Sequence, residues 1–143
     1  MKGCQVAMTT ALLESCIHIY ANSEVPASMD CPFDPGFIGQ SRHATSSSSS
    51  SNTFLLNNEG EDHDSVGIFQ QRVAFYNDDS DGDVCKLMNP TTSATYFFEA
   101  LNSISEWESM PIAAAAQAVQ HSEFPDRYQP KASHAIDICT AGY

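Results

Sequence analysis

Apolar residues recur at helical spacing near the start of the chain and predict a helix over roughly residues 5–22. Val6, Leu13, Ile17 and Tyr20 fall on one side of the helical wheel, and Met8, Leu12 and Ile19 form a second apolar side. A helix apolar on two sides belongs in a core. The sector between them holds Ala7, Ala11, Glu14, Ser15 and His18, which places a carboxylate among small side chains able to line a cleft.

From about Ser23 to Asp64 the regular pattern stops. Pro26, Pro32, Pro35, Gly36 and Gly39 interrupt it, and a serine run follows from Ser46 to Ser51. Loops beyond about 12–15 residues are uncommon in compact domains unless they are functional or disordered. Residues from about 36 to 58 therefore read as a flexible, low-complexity insertion. Order resumes at Val66-Gly67-Ile68-Phe69-Gln70-Gln71-Arg72. Further on, Asn89-Pro90 supplies an N-cap and a first-turn proline for a helix whose buried stripe is Tyr96, Phe97, Ala100, Leu101 and Ile104. Another helix runs from about Pro111 to His121, and a final short one ends near Gly142. No segment carries a persuasive strand pattern. The expectation is one mainly α domain over residues 1–143.

Composition narrows the function. No apolar run approaches the roughly 20 residues that span a bilayer, so no membrane association is expected. Six Lys+Arg against 18 Asp+Glu give a net charge of −12, which argues against nucleic acid as a partner because phosphate binding needs clustered cations. The same charge denies the protein electrostatic attraction to an anionic cell wall. Five cysteines, Cys4, Cys16, Cys31, Cys85 and Cys139, lack zinc spacing and fit one or two disulfides or buried thiols; the odd count leaves at least one thiol unpaired within a monomer. Met1-Lys2-Gly3-Cys4 has no uninterrupted apolar signal region.

Glu14 is the first candidate for chemistry. Glycoside hydrolysis needs a protonated acid, and apolar surroundings disfavour the charged form. The plainer alternative is a solvated Glu14 or one paired with His18 a helical turn on. In Glu61-Asp62-His63-Asp64 a second carboxylate could activate water or stabilise an oxocarbenium-like transition state, against the plainer reading of an acidic loop. One histidine among carboxylates suits zinc poorly. The loop from Asn77 starts like an EF-hand, with Asn77, Asp79, Asp81 and Gly82 in place, yet Met88 stands where the bidentate Glu is required. Ser15, His18 and Ser65 sit in no nucleophile motif.

These pieces together resemble a family of secreted fungal muramidases. The resemblance lies in Thr10-Ala11-Leu12-Leu13-Glu14-Ser15, in Ile19-Tyr20-Ala21-Asn22-Ser23, in Val25-Pro26-Ala27-Ser28, and above all in the eleven residues Asp62-His63-Asp64-Ser65-Val66-Gly67-Ile68-Phe69-Gln70-Gln71-Arg72. It extends through Met88-Asn89-Pro90, Trp107-Glu108-Ser109-Met110, Gln117 to Ser122, Pro125-Asp126-Arg127-Tyr128 and Cys139 to Tyr143. Actinobacterial lytic-transglycosylase-like domains share its Glu-Ser and Asp-x-Asp-Ser-x-Gly-x-Phe-Gln-Gln-Arg pieces. The resemblance implies a small lysozyme-like helical domain of the goose-type and lytic transglycosylase kind. It implies that Glu14 is the catalytic acid, that Gly67, Ile68, Phe69 and Gln70 line the cleft, and that Gln70 bonds a sugar. Asp62 and Asp64 would hold water or stabilise charge, and Tyr128 would form the cleft wall. It further implies a secreted monomer acting on peptidoglycan glycan strands, with no metal and no cofactor. The chain departs from the family in the long stretch from Pro32 to Asp64, in the acidic segment between Tyr76 and Met88, and in having Ala113 to Ala116 where a cysteine is usual.

The expected reaction is hydrolysis of the β-1,4 bond between N-acetylmuramic acid and N-acetylglucosamine. A lytic transglycosylase giving 1,6-anhydromuramyl products uses the same acid, and a non-catalytic copy is the alternative from another class.

Overall fold

The computed structural model describes residues 1–22, 24–31, 64–76 and 83–142. Of these 66% are helical and 6% extended, so the protein is mainly α. The insertion expected at about 36–58 lies outside the described residues, as do Asp62, His63 and the acidic loop 77–82. The elements are α1 (Lys2–Glu14), β1 (Ser65–Val66), β2 (Gln71–Arg72), α2 (Val73–Tyr76), α3 (Asp83–Met88), α4 (Pro90–Ser103), α5 (Ile112–Gln120) and α6 (Gln129–Ala141). Single 3₁₀ turns cover Pro26–Ser28, Trp107–Ser109 and Pro125–Arg127. No helix among the described residues is long and apolar enough to cross a membrane.

α1 packs along α6 and α5, and more lightly on α4. Its buried positions are Val6, Thr9, Thr10 and Ala11, while Met8, Leu12 and Leu13 are only half-buried. Small side chains face the core because the helices opposite are also small-faced: Ala113, Ala115 and Ala116 on α5, Ala132 and Ala135 on α6. Alanine faces let helix axes approach closely, so backbone dispersion replaces large side chains. Thr9 and Thr10 add no unmet polar group, since their hydroxyls donate to Gln5 O and Val6 O one turn back.

The expected first helix is corrected at its C-terminal end: it stops at Glu14 and not near Asn22. Cys16 (φ 51°) and Ile17 (φ 65°) are left-handed, and the Ile17 N–H returns to Ala11 O at 3.0 Å. Beyond this turn the chain is extended, and Ile19 and Ala21 are buried in alternation. An apolar pattern this short fits both periods, and pairing decides between them: Gly67 N–H donates to Tyr20 O at 2.8 Å.

The expectation of no strands is also corrected. β1 and β2 form an antiparallel hairpin with Ser65 opposite Arg72 and Val66 opposite Gln71. Two-residue strands are too short for alternation to register in sequence. The hairpin turn, residues 67–70, is set by Gly67 at φ 79°, where a Cβ would stand 2.2 Å from the Leu87 carbonyl oxygen. α4 starts where the sequence places it: Asn89 Oδ1 accepts from Thr91 N at 3.0 Å and Thr92 N at 3.1 Å, with Pro90 in the first turn. Its buried row is Ser93, Phe97 and Leu101, spaced by four, and Phe69 stacks on Phe97 with centroids 4.6 Å apart.

Two disulfides tie this helical body together. Cys4–Cys139 joins α1 to α6, and Cys31–Cys85 joins the segment after the first 3₁₀ turn to α3. Cys16 is the unpaired, exposed thiol. The bridges close separations of 135 and 54 residues, and in the chain-entropy account loops of that size stabilise by roughly 4–5 kcal/mol each.

Gly67→Ala tests the close approach of the hairpin turn to α3. Its Cβ meets backbone that cannot rotate away, and its φ is left-handed, so we expect a loss of about 3 kcal/mol or more in urea unfolding. A variant with an unchanged midpoint would show that the turn does not lie against Leu87.

Candidate active site

Glu14 is the last residue of α1, half-buried where the helix meets three other parts of the chain. The fully buried Tyr128, just before α6, donates its hydroxyl to Glu14 Oε1. Burial first, then the bond to the Glu14 carboxylate and its charge, push the Tyr128 phenol far above its ordinary range, and the nearby Ser122 side chain offsets this only in part. Tyr128 is therefore a neutral donor at any working pH.

The surroundings of this pair are held by hydrogen bonds from two helix ends. Ser15 Oγ donates to Ile68 O at 2.7 Å, and its own helix carbonyl, Ala11 O, lies 3.1 Å away. From the end of α5, Gln120 Nε2 donates to Phe69 O at 3.0 Å and Gln117 Nε2 donates to Ser122 O at 2.6 Å. The left-handed His121 (φ 52°) ends α5 and turns the chain so that Ser122 comes back beside Tyr128. The helix end carrying Glu14, the hairpin turn, and the α5–α6 connection thus converge.

The structure sorts the remaining sequence candidates by where their side chains go. Gly67 has no room for a side chain, and Ile68 (8% exposed) and Phe69 (5%) are buried in the core. A ligand would meet this segment through its backbone and through Gln70. Gln70 is half-buried at φ 48°; its Nε2 donates to Gly67 O at 2.8 Å, and its Oε1 has no partner among the described residues. Tyr128 contacts the candidate acid directly and exposes no surface as a wall. Asp62 lies outside the described residues.

Asp64 sits at the open end of the hairpin, opposite the turn that Ser15 holds. Arg72 Nε is 2.7 Å from its Oδ1, and Ala74 N–H donates to its Oδ2 at 2.9 Å. Partial burial raises its carboxyl, but the bond to Arg72, the Ala74 N–H and the Arg72 charge together outweigh burial and hold it below the usual range. This carboxylate staples the hairpin to the start of α2. No group of three or more His, Cys, Asp or Glu suited to a metal occurs among the described residues.

Ser122, Gln117 and Gln120 were visible in the sequence only as part of a resemblance. Their one independent signal is the placing of two glutamines three apart at the end of an alanine helix, on one face of its last turn.

The Asp64 contacts set a pH dependence. A folded-state carboxyl more acidic than the unfolded one stabilises fully above the ordinary carboxylate range, and that stabilisation is lost as pH falls through the folded value. Asp64→Asn should cost about 1 kcal/mol at pH 7, given a partly exposed pair, and nothing measurable near pH 2. Equal midpoints for parent and variant at pH 7 would refute the staple.

No protein-family model matches the chain, and no curated protein matches its sequence.

Proposed function

We propose that the protein is a muramidase with a lysozyme-like helical domain, hydrolysing the β-1,4 bond between N-acetylmuramic acid and N-acetylglucosamine with Glu14 as general acid. The observation that carries this reading is the Glu14–Tyr128 hydrogen bond at the end of a core helix. Glu14 stands half-buried at the C-terminal, negative end of α1, with the Tyr128 hydroxyl on its carboxyl. Once the proton has passed to the glycosidic oxygen, the Tyr128 hydroxyl is in place to stabilise the carboxylate left behind. Gln70 Oε1 offers an acceptor to an N-acetyl or hydroxyl group from the hairpin turn. Two disulfides agree with an extracellular site of action, as does the resemblance to secreted enzymes. The reading has the protein working as a monomer on glycan strands, without a cofactor.

The engagement of Asp64 with Arg72 and Ala74 favours a second reading of the same site. There Glu14 acts alone, first as acid and then as base, and the muramyl 6-hydroxyl attacks to leave a 1,6-anhydro product.

Mass spectrometry of soluble fragments released from purified peptidoglycan tests both readings. Fragments with reducing ends mark hydrolysis, and fragments lighter by one water mark transglycosylation. Glu14→Gln should lower release at least about 100-fold with unchanged circular dichroism, as loss of a general acid does. Tyr128→Phe should lower it about tenfold, the effect of one hydrogen bond to a charged group. A folded Glu14→Gln chain that still releases fragments at the parent rate would sink the assignment.

A further inference from the structure

Phe124 is 53% exposed although it stands two residues from Ser122, whose side chain lies near Tyr128, the partner of Glu14. An exposed aromatic ring is unremarkable on a floppy loop, but Phe124 is fixed on three sides. Its N–H donates to Ser122 Oγ at 3.2 Å, its carbonyl accepts from Arg127 N–H at 3.2 Å, and Pro125 restricts the backbone that follows. The Arg127 guanidinium lies over one ring face, 4.2 Å from the centroid, so the ring orientation is held as well. Backbone bonds and the guanidinium contact thus bias the ring toward one orientation before any ligand arrives, which lowers the ordering cost that weakens binding by mobile side chains.

We propose that Phe124, oriented by Arg127, is a carbohydrate platform on the rim of the Glu14 site, stacking against the pyranose face of an N-acetylhexosamine unit of the glycan. The location of the platform rests on the muramidase reading; its chemistry does not. A pyranose ring presents axial C–H groups on one face, and these pack on the negative face of an aromatic ring. In a chain of net charge −12, Arg127 also places one of only six Lys and Arg residues beside this surface, which lowers the local repulsion toward a glycan bearing carboxylates.

Phe75 supplies an internal control. It is 75% exposed, and Arg72 lies 5.2 Å from its ring centroid, but it sits on α2 at the open end of the hairpin, away from the turn that Ser15 holds. It shares the chemistry of Phe124 without the location.

The test is calorimetric binding of the β-1,4 tetramer of N-acetylglucosamine to the full chain carrying Glu14→Gln, so that the probe is not cut. Adding Phe124→Ala should weaken binding about fivefold, Phe124→Trp should keep it within twofold, and Phe75→Ala should leave it unchanged. Unchanged affinity in Phe124→Ala overturns the platform, as does an equal loss in Phe75→Ala or no binding by the Glu14→Gln parent. Fragment release by the native chain is scored separately. Phe124-dependent binding without release would retain the platform and remove the muramidase reading, whereas release with Phe124-independent binding would do the reverse.

Discussion

A hydrogen atom in place of a side chain at Gly67 lets the hairpin turn lie against the carbonyl of Leu87, nearer than any other residue could come. That approach fixes where the Ile68 and Phe69 carbonyls point. Ser15 from the end of α1 and Gln120 from the end of α5 then bond to them, so two helices are aligned by one turn. Burial of Ile68 and the stacking of Phe69 on Phe97 keep the turn from swinging out. The position of Glu14 depends on this arrangement, because Ser15 is the next residue and is itself clamped.

Two carboxylates considered for the same chemistry have different surroundings. Asp64 has a cation and a backbone N–H, which favour its charged form and commit it to joining the hairpin and α2. Glu14 stands at the negative end of a helix, half-buried, with a neutral buried phenol as donor. The first setting suits a structural anion. The second places a buried hydroxyl where it would stabilise the carboxylate left after proton transfer, the step that the proposed reaction assigns to Glu14.

The disulfides act on the same geometry from outside. Cys4–Cys139 clamps the start of α1 to the end of α6, and Tyr128 precedes the start of α6. The two helices are therefore tied at both ends, by a covalent bond at one and by the Tyr128–Glu14 hydrogen bond at the other. Their small faces, Val6, Thr9, Thr10 and Ala11 on α1 and Ala132 and Ala135 on α6, leave little side-chain volume to resist sliding, so end ties carry more of the register than they would between larger-faced helices.

The sequence by itself determined the helical class, the start of α4 at Asn89-Pro90 and the span of α5, because capping chemistry and helical spacing are local properties; Glu14 became the candidate acid through a family resemblance and not through its spacing. Only tertiary structure decided that α1 stops at Glu14 while Ile19 and Ala21 enter an extended segment, since Gly67 pairs with Tyr20 across 47 residues and no local pattern encodes that partner. The same holds for the cysteine pairing, for Asp64 as a staple, and for Ile68 and Phe69 turning inward. Each depends on which groups from distant parts of the chain compete for one carboxylate, one carbonyl or one volume of core, and that competition exists only once the chain has folded.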